Sequence, residues 1–165
     1  MRTRFGMLFQ SSALFDSMNV YENVSLGLSE HTNLTEKEKR KQAAEKLSLV
    51  GLSGIEDKYP SELSGGMKKR VGLARAICMD PEILLYDEPT TGLDPTTADT
   101  INDLIIDLNQ KLTVTSIAVT HDLYSAFRIG DRFAVLNNGI IIFDGKKEEL
   151  QATEHPYIKD FLSHH

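Results

Sequence analysis

Two adjacent carboxylates, Asp87 and Glu88, follow directly on the apolar run Ile83-Leu84-Leu85-Tyr86 and precede Pro89. Such a run reads as a buried strand, and in open α/β sheets the ligand crevice lies beyond the carboxyl ends of the strands. Adjacent carboxylates there point in different directions, so one can hold a divalent cation through water while the other orients or deprotonates an attacking water. Asp87 is assigned to the metal and Glu88 to the water. Upstream, Leu63-Ser64-Gly65-Gly66-Met67 puts a hydroxyl and two side-chain-free amides at the start of a helical pattern. That combination is an anion site at the positive end of a helix dipole. Lys68, Lys69 and Arg70 crowd the same first turn, where their charge opposes the dipole unless a phosphate comes near.

These residues need strand ends and helix starts to hold them. Residues 3–10, with Phe5, Met7 and Phe9 alternating, are predicted extended and end at Gln10 before the small polar pair Ser11-Ser12. Residues 35–50 open with the capping-box pattern Thr35-Glu36-Lys37-Glu38, and Ala43, Ala44, Leu47 and Val50 recur at helical spacing. The charge run 36–41 is read as a solvated helix face. A second helix is predicted from Met67 to about Met79, broken before Pro81, and a third over 96–112, with Ile101, Leu104, Ile105 and Leu108 on one face. Residues 114–119 form a buried-strand pattern that leads into Thr120-His121-Asp122. Strand and helix alternate, which requires a parallel sheet. Strands 133–136 and 140–143 flank Asn137-Asn138-Gly139, whose Asn-Gly pair predicts a tight hairpin forming an antiparallel edge to that sheet.

Composition narrows the functional classes. A chain of 165 residues suffices for one domain with a core and is short for two. Its net charge of -6 leaves no basic excess to neutralise a nucleic acid or an anionic membrane surface. No apolar stretch approaches the ~20 residues that span a bilayer, and the residues after Met1 lack a signal-peptide core, so a cytosolic protein is expected. The single cysteine, Cys78, sits in an apolar stretch and reads as a small buried helix residue.

Ser64-Gly65-Gly66 behind Leu63, then the strand ending in Asp87-Glu88, resemble the signature and Walker B motifs of ABC-type ATPases. Thr91-Gly92-Leu93-Asp94 is similar to the family's D-loop, whose aspartate touches a facing subunit; Asp94 before Pro95 also reads as a helix N-cap. The resemblance makes His121 the switch histidine that contacts the γ-phosphate and Gln10 the Q-loop residue that handles magnesium with Asp87. His31, His155, His164 and His165 match no motif. Residues 12–24 look like the stretch after the Q-loop, used in the family as the groove for a coupling helix. Met67, the Ser-Ala-Leu-Phe run, Glu30-His31-Thr32, Pro60-Ser61-Glu62 and Lys68-Lys69-Arg70 narrow the resemblance to the ATPases of Mla-type intermembrane phospholipid transporters.

The resemblance implies a P-loop NTPase-like α/β fold over residues 1–165: a parallel sheet, a helical signature subdomain at about 11–80, and a C-terminal antiparallel hairpin. Residues 1–10 and 81–165 would supply the remainder of the α/β core. It further implies ATP and Mg2+ as cofactors, a second ATPase subunit and an integral membrane permease as partners, and a peripheral place on the inner face of the cell membrane. Nucleic acid and direct membrane insertion are not expected. No G-x-x-x-x-G-K-[ST] loop occurs in the 165 residues; Gly139 to Gly145-Lys146 has one residue too many between its glycines, and Lys147 stands where a hydroxyl should bind magnesium. The P-loop strand and helix are therefore expected ahead of Met1, the chain is expected to be truncated and inactive alone, and sheet edge and apolar surface are expected to lie exposed. One alternative is a pseudo-ATPase half that lends only Ser64 to Gly66 to a partner's ATP. A chromosome-maintenance ATPase ranks last, because the chain is acidic and lacks a long heptad insertion.

Overall fold

The computed structural model describes residues 4–163, so Thr3 of the expected first strand and the His164–His165 pair lie outside the described residues. The chain divides after Val119 into two compact units.

The first unit carries a three-stranded sheet in the order β1-β2-β3, formed by β1 (Phe5–Leu8), β2 (Ile83–Asp87) and β3 (Thr115–Val119). Both pairings are parallel, with Leu8 opposite Tyr86 and Asp87 opposite Val119. Leu8, Leu84 and Tyr86 are buried, whereas Ile117 and Val119 on the edge strand β3 are exposed. Four helices accompany the strands: α1 (Val20–His31), α2 (Glu36–Leu49), α3 (Gly65–Ala76) and α4 (Pro95–Leu112). The third of these packs against α1, α2, α4 and β1 and supplies Val71, Leu73 and Ala74 to the core. It begins at Gly65, earlier than Met67, because the Ser64 hydroxyl accepts the Met67 amide at 3.3 Å and caps the helix. Its last turn unwinds at Ile77, so Cys78 lies just past the helix; burial pushes its thiol up to about 12, as an inert core residue requires.

The α1 helix is absent from the periodicity reading above, although its start is written in Asn19 and Glu22, which form a complete capping box. Behind that cap, the fully buried Asn23 accepts the Phe15 amide at 2.8 Å and donates to the carbonyls of Phe15, Met18 and Asn19. One side chain thus closes the loop that leads from β1 into α1. Asn23→Ala removes all four bonds, leaving the Phe15 and Asn19 carbonyls only the Met18 and Asn23 amides, and is expected to cost about 2–3 kcal/mol, read as a lower urea midpoint with an unchanged slope.

The second unit contains α5 (Leu123–Ile129), β4 (Phe133–Asn137), β5 (Ile140–Gly145), α6 (Lys147–Gln151) and α7 (Pro156–Ser163). The hairpin forms at the expected turn, with Asn138 and Gly139 both at positive φ (49° and 77°), as a two-residue turn of that hand demands. Contrary to the expected antiparallel edge, β4 and β5 make their own two-stranded sheet and share no ladder with β1 to β3 among the described residues. Bidentate bonds from Arg132 to Asp144 at 2.7 and 2.9 Å and an edge-to-face Phe127–Phe133 contact support it.

Candidate functional site

The parallel register sets the site. With Leu8 opposite Tyr86, two further residues along each chain bring the Gln10 turn level with Glu88 beyond the carboxyl ends of β1 and β2. A buried cation joins them. Lys69 on α3 is 5% exposed, and its ammonium donates both to the Gln10 carbonyl and, at 3.0 Å, to the Glu88 carbonyl. Burial draws its pKa below the ordinary lysine value, while the nearby Asp87 and Glu88 carboxylates act in the opposite direction. The sequence reading, which set Lys69 beside Lys68 and Arg70 against an incoming phosphate, is corrected on this point: Lys69 faces inward.

Glu88 stands in the left-handed region at φ 47°, although it is not glycine and precedes Pro89. Such a backbone persists only where its surroundings hold it. Here its amide donates to Val119 at 2.9 Å, its carbonyl accepts from Lys69, and its carboxylate accepts the Thr91 hydroxyl at 2.8 Å. The turn after Gln10 is held in the same manner. Ser12 and Ala13 are both at positive φ, and Arg75, further along α3, donates to their carbonyls at 2.6 and 2.7 Å.

Ser64, Gly65 and Gly66 lie at the N-terminus of α3 with Ser64 and Gly65 exposed, so the hydroxyl and amides are presented to solvent. Behind them the first turn of α4 fits closely: a Cβ on Gly66 would lie 2.6 Å from Thr97 Cγ2. Asp94 caps α4 by accepting the Thr97 amide at 3.0 Å and its hydroxyl at 2.6 Å, and these bonds hold its carboxyl below the ordinary range. The Ser64–Gly66 turn and Asp94 are therefore neighbours, joined through Thr97. His121 is an exposed residue of the second unit, directly before Asp122, the N-cap of α5.

For a magnesium ion, Asp87 and Gln10 offer two oxygen-bearing side chains from adjacent strand ends. That small set suits magnesium, which keeps waters and phosphate oxygens as its other ligands. Among the described residues no cluster of three His, Cys, Asp or Glu side chains forms an all-protein cage.

A sequence profile for the ABC transporter family matches residues 1–91. The chain belongs to this ABC transporter family. It is 45% identical over 162 residues to the "Probable ribonucleotide transport ATP-binding protein mkl" of Mycobacterium tuberculosis strain H37Rv, covering 98% of this chain and 45% of that protein. With the intermembrane phospholipid transport system ATP-binding protein MlaF of Escherichia coli K12 it shares 43% identity over 161 residues, covering 98% of this chain and 60% of MlaF. Among solved structures it is similar to the dimeric post-hydrolysis state of the ATP-binding cassette MJ0796 bound to ADP and Pi, at 35% identity and TM-score 0.75, covering 86% of this chain and 62% of that one. The chain spans about half the length of the curated relatives it matches. The ABC fold is thus present as an α/β unit with a parallel sheet and a second unit that carries the antiparallel hairpin. Among the described residues no helix is long and apolar enough to cross a membrane.

Motif reading singled out Gln10, Ser64 to Gly66, Asp87, Glu88, Asp94 and His121, and missed Lys69 and Arg75 as internal braces. Helical spacing does not single Lys69 out: it shares a stripe with the buried Gly72, Leu73 and Ala76, and Arg70 shares another with Leu73, Ala74 and Ile77.

Proposed function

We propose that this chain is the catalytic and signature portion of an ABC transporter ATP-binding subunit that drives phospholipid movement through a membrane permease. The observation that carries the reading is the pairing of Gln10 with Asp87-Glu88 at adjacent parallel strand ends, tied by the helix that begins at Ser64. Asp87 and Gln10 hold magnesium, which when bound neutralises charge on the phosphates. Glu88 orients and deprotonates the attacking water, and His121 contacts the γ-phosphate. Ser64 to Gly66 meet the nucleotide of a second ATPase subunit, and Asp94 faces that subunit; the dimeric cassette with ADP and Pi supports this arrangement. The helical signature subdomain of about residues 11–80 contacts the permease, and the assembly works at the inner face of the cell membrane. Phospholipid as cargo is favoured by the Mla-like Met67, Ser-Ala-Leu-Phe run, Glu30-His31-Thr32, Pro60-Ser61-Glu62 and Lys68-Lys69-Arg70 and by MlaF, while Mkl carries a different substrate in its name.

Hydrolysis needs a phosphate loop that residues 1–165 do not contain. A fusion placing a strand, a G-x-x-x-x-G-K-[ST] loop and its helix ahead of Met1 is expected to release phosphate from MgATP, and the 165-residue chain alone is expected to stay at background. Hydrolysis by the chain alone, or none by a folded fusion that binds MgATP, contradicts the reading. A second reading, a half that lends Ser64 to Gly66 to a partner's nucleotide, is favoured by the formed and exposed turn at Ser64-Gly65. In that case the chain alone accelerates hydrolysis by an intact ABC partner.

A further inference from the structure

The site's two loops belong to segments far apart in sequence, and both carry residues in the left-handed region. The turn after β1 runs through Ser12 and Ala13 at positive φ, and Glu88 after β2 is also at positive φ. Non-glycine residues in that region store strain and keep the conformation only under outside restraint. Each has bonds of its own, from the Glu88 amide to Val119 and from the Ser12 amide to Phe9, and α3 supplies the restraint the two share. Lys69 reaches the carbonyls of Gln10 and Glu88, and Arg75 reaches those of Ser12 and Ala13.

We propose that Lys69 is a positioning residue: by bonding the Gln10 and Glu88 carbonyls at once, it fixes the metal-handling turn against the water-activating carboxylate, while Arg75 fixes the rest of the turn. An ammonium suits this task because it has three donors and no acceptor, and a charged donor to a carbonyl in a desolvated place makes a strong hydrogen bond. Two carbonyls brought together repel each other, and a cation between them removes that repulsion. The helix carrying Lys69 begins at the exposed Ser64-Gly65 turn. A nucleotide or subunit that shifts α3 along its axis therefore moves Gln10 and Glu88 together rather than one past the other.

The proposal rests on the ATPase reading only for its consequence in turnover; the brace itself can be tested without nucleotide. In nuclear magnetic resonance spectra of the 165-residue chain, the Lys69 ammonium protons are expected to exchange slowly and to show through-hydrogen-bond coupling to the carbonyl carbons of both Gln10 and Glu88. In Lys69→Met both carbonyl resonances are expected to move upfield together, and amide exchange at residues 10–13 and at Glu88 to accelerate by about tenfold or more, with α1 and α2 amides unchanged. Arg75→Met serves as the contrast, moving the carbonyls of Ser12 and Ala13 and leaving that of Glu88 in place. In the phosphate-loop fusion, Lys69→Met is expected to lower kcat by about tenfold or more with KM for MgATP within about twofold, the pattern of lost positioning rather than lost binding. A Lys69 ammonium coupled to only one carbonyl, carbonyls that do not move in Lys69→Met, or an unchanged kcat overturns the proposal. Failure of the unaltered fusion to hydrolyse ATP, with both couplings present, overturns the ATPase reading instead.

Discussion

Glu88→Gln in the phosphate-loop fusion leaves MgATP bound and lowers phosphate release by roughly 10²- to 10⁴-fold, the range a positioned general base supplies. The amide keeps the size and one oxygen of the carboxylate, so the Thr91 hydroxyl retains an acceptor at the position it now holds 2.8 Å from Glu88 Oε2. The backbone bonds to Val119 and Lys69 are untouched by the substitution, and the strained φ is equally tolerable for Gln. What disappears is the ability to accept a proton from water. Calorimetry should therefore give the same affinity for MgATP as the unaltered fusion, while a phosphate-release assay separates the two proteins. Asp87→Asn provides the contrast, since it removes charge from the proposed metal ligand and should weaken MgATP itself. Equal turnover in Glu88→Gln and the unaltered fusion would remove Glu88 from the chemistry.

Gly6→Val is expected to destabilise the first unit by about 3 kcal/mol or more and to lower its urea midpoint accordingly. A Cβ at this position would lie 2.1 Å from the Ala76 carbonyl oxygen and 2.8 Å from Leu84 Cδ2. The first obstacle is backbone, which yields only if α3 withdraws from β1. That withdrawal would also carry Lys69 and Arg75 away from the carbonyls they hold, so stability and site geometry fail together. Gly27 in α1 is the control. Its added Cβ would meet only the flexible Met79 side chain, at 3.0 Å, and alanine recovers the helix propensity that glycine forgoes. Gly27→Ala is expected to be neutral or mildly stabilising in the same titration.

The architecture was legible where short-range chemistry dictates it. The Thr35–Glu38 capping box, the apolar run ending at Asp87 and the Asn138-Gly139 turn each carry their geometry in a few adjacent residues, and each forms as read. The α1 helix escaped because its core face mixes Val20 and Val24 with the buried Asn23 and Ser25, which blurs the hydrophobic period; only its cap gave a clear signal. The short helices α5 to α7 were passed over for a related reason, being too brief for periodicity to emerge. The site was legible as a set of motifs and illegible as a set of supports. Lys68, Lys69 and Arg70 look alike in sequence, and only burial distinguishes the inward-facing Lys69. The turn at 11–13 gives no sequence hint of positive φ, because Ser12 and Ala13 hold it under restraint from Arg75, 62 and 63 residues away.

If Gln10 and Asp87-Glu88 together form the metal–nucleotide site, a paramagnetic ion bound there marks all three. Manganese in place of magnesium broadens nuclear resonances within a short radius of the bound ion. With MnATP added to the fusion, the amide signals of residues 10, 87 and 88 are expected to vanish first, while those of residues 41–46 on α2 stay sharp. Broadening centred elsewhere in a fusion that binds MnATP, with the signals of Gln10, Asp87 and Glu88 preserved, would contradict it.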